Sequence, residues 1–147
     1  MHLACQYADV QELDEEHFVT THPSLIGYLA AWRRFRADTG FVPATIEERV
    51  YHPIYRFGGT LDRRGSLSGH PAILDLKTPV AKSPATGIQL AAYALCFPEP
   101  HRRYAVHLRA NGTYSLHEFQ DLLDGRLFLA ALSVATWRLK HQRGVLI

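Results

Sequence analysis

Residues 71–78 read PAILDLKT. The run is short, apolar and bounded by turn residues, which predicts a buried strand. Strand side chains alternate between faces, so Asp75 and Lys77 leave the same side as Ile73, while Leu74 and Leu76 take the other. An acid and a base at the end of a buried strand are costly to desolvate unless something employs them. The octapeptide sets two questions: which sheet it belongs to, and what its charges serve.

Working outward, VPATIEERVYHP (42–53) and IYRFGGTLDRRG (54–65) predict two preceding strands, reversed at Pro53-Ile54, with SLSGH (66–70) as the turn into the third. Downstream, the loop PVAKSPATG leads into a helix, IQLAAYALCF (88–97), stopped by Pro98 and Pro100. RRYAVHLRA and TYSLHEF then flank Asn111-Gly112, a strong hairpin signal. Before the strands, PSLIGYLAAWRRF (23–35) has helical apolar spacing, with Pro23 suited to a first turn. The final stretch, 122–141, is helical too, with Leu123, Leu127, Ala131, Val134 or Ala135, and Arg138 tracing a stripe. The first twenty residues are polar and acidic, either a short helix or a loose arm.

The order is helix, three strands, helix, two strands, helix. It predicts a single mixed α/β domain over residues 1–147, with 1–20 as a possible N-terminal arm. The helix between the third and fourth strands is long enough for a crossover to a parallel neighbour.

Composition narrows the function only by exclusion. Two cysteines, Cys5 and Cys96, are too few for a four-cysteine zinc site or an iron–sulfur cluster, and both read as reduced. The histidines show no HxxxH or HxH spacing. No signal peptide or membrane span is recognisable, so the expectation is a cytoplasmic protein. A net charge of +2 permits a nucleic-acid partner without requiring one.

Asp62 lies near the end of the second predicted strand and Asp75 near the end of the third. Convergence of the two then needs an offset register or a bend, which Gly58-Gly59 and Gly65 permit. Two converging carboxylates repel unless a cation is present. A hard divalent ion answers that need, and Lys77 beside it suits the orientation of a water or the neutralisation of a phosphoryl oxygen.

GGTLDRRG, ILDLKT and QLAAY, in that order over roughly residues 46–93, resemble the successive motifs of the PD-(D/E)XK nuclease superfamily, nearest its RecB-like and phage-exonuclease-like branch. Gly59 and Asp62, then Asp75, Lys77 and Thr78, then Gln89 and Tyr93 fill the motif places. Asp75 stands where many relatives have Glu, and no Pro-Asp pair precedes the strand. The resemblance implies an αβββαβ core, here with an added hairpin strand and a C-terminal helix. It implies Asp62 and Asp75 as metal ligands, joined by the backbone carbonyl of Leu76, with Mg²⁺ or Mn²⁺ as the ion. Lys77 would position or activate water, and Gln89 and Tyr93 would line the site or touch the substrate backbone. Glu47, favoured over Glu48 by spacing, would be a further acid, and His22 is a weaker candidate for a helix-borne ligand. Arg63 and Arg64, directly after Asp62, are expected substrate contacts. The implied partner is DNA, in a bacterial or phage-infected cell. Self-association belongs to the expectation, since some relatives that process ends form rings. The alternative is a nucleic-acid-binding or assembly module that kept the fold without catalysis.

Overall fold

The computed structural model describes residues 1–78 and 82–142. Part of the expected polar loop, 79–81, lies outside the described residues. Five strands form one sheet in sequential order: β1 (Val42–His52), β2 (Phe57–Leu67), β3 (His70–Lys77), β4 (Arg102–Leu108) and β5 (Tyr114–Phe119). β3 and β4 run parallel and the other neighbours antiparallel. The helices are α1 (His2–Asp9), α2 (Glu15–Thr21), α3 (Ile26–Thr39), α4 (Pro84–Ala94) and α5 (Leu123–Gln142). α4 is the predicted crossover between the parallel pair. The mixed α/β expectation stands.

Alternation along the strands builds a core on each face. Leu74, Leu76, Tyr104, Val106 and Leu108 pack with Trp32 and Phe35 of α3 and Cys5 of α1. On the other face Val50, Leu61 and Ile73 pack with Leu90 of α4. Local signals fix the helix ends. The Asp14 side chain accepts the His17 N–H, the Ser83 hydroxyl accepts the Ala85 N–H, and Gly40 closes α3 in the left-handed region.

Three expectations need correction. β2 runs on to Leu67 and the turn is only Ser68-Gly69, both at positive φ, the two-residue geometry favoured by strand twist. That short turn sets the register Arg63↔Leu74, and one step further Asp62 stands across from Asp75 without an offset, at the point where β2 turns away from β3. Secondly, α4 begins at Pro84 and ends at Ala94, so Cys96 sits just past the helix. Thirdly, the apolar stripe of α5 is not core: Leu123, Leu127 and Val134 are each more than half exposed. α5 is held instead by its first two turns, through the Arg103–Asp124 ion pair at 2.8 Å and Phe128 against Phe57.

The first residues form helices, and α1 is tied to the sheet by buried charge. The side chains of Asp9 and Arg63 are both fully buried, and Arg63 Nε donates to Asp9 Oδ2 at 2.7 Å. Asp9 Oδ1 also accepts from Trp32 Nε1 and Arg36 Nη1, each at 2.8 Å. The Arg63 guanidinium lies 5.5 Å from the Trp32 ring centre. Removing one partner strands a charge in the interior, at a cost of roughly 3–5 kcal/mol. Asp9→Ala is therefore expected to lower unfolding stability by about 3 kcal/mol or more in urea titrations. Glu15→Ala, which removes only the exposed ion pair with Arg33, is expected to cost less than about 1 kcal/mol.

Candidate metal centre

The centre lies where β2 leaves β3. The β2–β3 ladder stops at Arg63↔Leu74, and beyond it the Leu76 N–H donates to the Asp62 carboxylate, Oδ2, at 2.7 Å. A side chain thus replaces the carbonyl that a continuing ladder would supply. On the other side of β2, the pairs Ile46↔Arg63 and Glu48↔Leu61 bracket Glu47 and Asp62, which stand opposite each other, with Glu47 at φ +50°. Glu47, Asp62 and Asp75 consequently form one row across three strands. Alternation breaks here: Leu61 packs with Ile73 and Leu90, while Arg63 lies over Trp32 on the opposite face.

α1 adds a fourth group. His2 Nδ1 is 3.5 Å from Asp62 Oδ2. His2, Glu47 and Asp62 each offer one ligand atom, and all three atoms lie within 4.8 Å of one another. The Asp9–Arg63 pair that docks α1 also delivers this histidine. Hydrogen bonding to Asp62 raises the His2 pKa above 6.5, burial working against it and the charges of Asp62 and Glu47 adding to it. The rise favours the protonated imidazole as a counter-ion to these acids.

Asp75 is 6 % exposed. Burial pushes its carboxyl pKa up, opposed by Lys77 and reinforced by the charge of Asp62. Lys77 Nζ is 2.7 Å from Asp75 Oδ2, yet that oxygen receives no aligned hydrogen bond from the described residues. His2, Glu47 and Asp62 are a donor set that a hard divalent ion would satisfy, and Asp75, ion-paired to Lys77, stands next to them in the row. The residues fit such an ion.

The remaining expected residues divide. Gln89 Nε2 donates to the Tyr93 hydroxyl at 3.2 Å on the exposed side of α4. Tyr93 rests directly on β2: a Cβ at Gly59 would come within 2.7 Å of its ring, so a larger residue there would displace the tyrosine. Leu76 is tied to Asp62 through its N–H and buries its side chain. Glu48 pairs with Arg64 at 2.8 Å, leaving Glu47 as the glutamate of the centre. Arg64 also lies over Phe97 and keeps a quarter of its side chain exposed.

Arg63 corrects the substrate-contact expectation. It is fully buried, binds Asp9 and Glu47, and donates to the Asp62 carbonyl, so it supports the acids from behind and presents nothing to a phosphate. His22 is exposed and packs at a tilt against Phe18, outside the cluster that His2 joins. The missed histidine had a signal. His2, Cys5 and Asp9 stand at i, i+3 and i+7, one helix face inside a segment read as a helix or an arm.

No family model matches the sequence, and no curated protein matches it. The fold is shared with an alkaline exonuclease from Laribacter hongkongensis: TM-score 0.50, 20 % sequence identity, covering 80 % of this chain and 70 % of the other. At that identity the likeness speaks for the fold.

The raised pKa of Asp75 gives a stability test. Ionising this carboxyl costs the folded chain more than the unfolded one. The penalty is absent below the ordinary value of 3.8 and complete above the raised folded value. Lys77, 31 % exposed, stays solvated when its partner is neutralised. Asp75→Asn is expected to melt higher than wild type in EDTA at about pH 8, with the gap closing towards about pH 4.

Proposed function

We propose that the chain is a divalent-metal-dependent nuclease hydrolysing phosphodiester bonds in DNA. The observation that supports this most is the row Glu47–Asp62–Asp75 at the opening between β2 and β3, with Lys77 at its end. The fold shared with an alkaline exonuclease supports the same reading.

In this reading Asp62 and Asp75 hold the ion, with the Leu76 carbonyl, Glu47 and His2 as further ligands. When bound, the ion supplies positive charge against the scissile phosphate and lowers the pKa of water. Lys77 Nζ, held by Asp75, donates to the attacking water and fixes its line of approach to phosphorus. The water oxygen bonds to phosphorus as the bond to the leaving oxygen breaks; the attacking water gives up a proton to bulk solvent, and the leaving oxygen takes one from a solvent water. Arg63 keeps Glu47 and the Asp62 backbone in place from the buried side. Gln89 and Tyr93 form a polar ledge on α4, beside β2, for the substrate backbone, and Arg64 faces the same side for a further phosphate. Among the described residues no helix is long and apolar enough to cross a membrane. The proposal places the protein in the cytoplasm of a bacterial or phage-infected cell.

The test uses linear and closed circular DNA with Mg²⁺, Mn²⁺ or EDTA. Wild type is expected to degrade linear DNA with metal and not with EDTA. Lys77→Ala is expected to lose roughly 10²-fold or more of the rate while still melting cooperatively, at a lower temperature than wild type because buried Asp75 loses its counter-charge. Survival of the closed circle marks an exonuclease and its loss an endonuclease. If wild type binds DNA but cuts nothing under any metal, the chain is a binding module instead.

A further inference from the structure

The β1–β2 hairpin does not end at the row of acids. Beyond Glu47 and Asp62 it continues through five more rungs, Glu48↔Leu61 to His52↔Phe57. β3 pairs with β2 only between Arg63 and Leu67, so this stretch is a two-stranded arm. One face is covered: Val50 and Leu61 pack with Leu90, Gly59 lies under Tyr93, and Phe57 meets Phe128. The other face is bare. Arg49, Tyr51 and Thr60 are exposed there, Tyr51 at 61 %, and the tip presents Ile54, Tyr55 and Arg56.

Two features say what the bare face receives. Among the described residues the side chains of Arg49 and Arg56 make no ion pair or hydrogen bond, as is also true of Arg102, Arg126 and Arg138; on the arm two such cations flank the exposed ring of Tyr51. The arm therefore offers uncompensated positive charge beside an exposed aromatic ring. It is also continuous with the metal centre. Val50 faces the core, so Glu47, Arg49 and Tyr51 project to the opposite side, at steps of roughly 7 Å per two residues.

We propose that a single nucleic-acid strand lies along this face as it passes the metal centre. Arg49 and Arg56 neutralise phosphates and Tyr51 stacks on an unpaired base, while Ile54 at the tip lies against the next base. A polyanion matches the free cations, and only a strand with unpaired bases offers the tyrosine a ring to stack on. The inference rests on the nuclease reading of the site and adds to it the path and state of the substrate.

The experiment measures fluorescence anisotropy of a labelled single-stranded oligonucleotide and of a blunt duplex, in EDTA, across a salt series. It compares wild type, Arg49→Ala/Arg56→Ala, Arg49→Lys/Arg56→Lys and Tyr51→Ala, with melting curves to confirm folding. The double alanine variant is expected to bind the single strand about tenfold or more weakly. Its slope of log K against log salt should be shallower by about 1.4, two contacts at about 0.7 each, and the lysine variant should restore that slope. Tyr51→Ala is expected to weaken single-strand binding about fivefold or more and to leave the duplex unchanged. Unchanged affinity and slope in the alanine variants, with wild type still cleaving DNA, would overturn the arm's role and leave the nuclease reading intact. A wild type that neither cuts nor binds DNA would overturn both.

Discussion

The Asp62 carboxylate takes the N–H of Leu76 at the point where β2 and β3 part. This hydrogen bond is the constraint on which the rest of the centre depends. It satisfies a backbone donor left over when the ladder stops, which a buried strand end requires. It also keeps Asp62 in the gap between the strands, opposite Asp75 on one side and Glu47 on the other. The gap exists because β2 departs as an arm while β3 stops at Lys77. A sheet that stayed paired would close it.

Clustered acids are unstable without compensation, and the fold supplies it asymmetrically. On the buried side Arg63 binds Asp9, Glu47 and the Asp62 carbonyl, a permanent counter-charge whose Nη2 alone is buried without a partner. On the open side only Lys77 and the half-exposed His2 answer, and one Asp75 oxygen stays without an aligned donor. The acids are anchored from behind and underserved in front. That asymmetry is what a cation site needs. It also assigns α1 a purpose, since the ion pair that docks the helix places His2 beside Asp62.

Much of this was legible in the residues because alternation and turn chemistry are local. The strand character of 71–78, the crossover helix and the Asn111-Gly112 hairpin all follow from short windows. The register did not, because a turn read as five residues instead of two moves every cross-strand pair, and only the φ values of Ser68 and Gly69 decide between them. Arg63 and Arg64 are neighbours in the chain and were indistinguishable there. The break in alternation at Asp62 sends one into the core and leaves the other near the surface, a tertiary effect with no local mark. His2 was hidden for a similar reason, since its importance comes from a contact sixty residues away. The stripe on α5 misled in the opposite direction, because periodicity reports an apolar face and not whether anything covers it.

The most direct measurement is diffraction at the manganese edge from crystals soaked in Mn²⁺, with the Asp62→Asn protein in parallel. The account predicts an anomalous peak in the gap between β2 and β3, bound to the carboxylates of Asp62 and Asp75, and its disappearance in the variant. A peak elsewhere, or none while Asp62 and Asp75 keep their present arrangement, would contradict the claim that this gap is a metal centre.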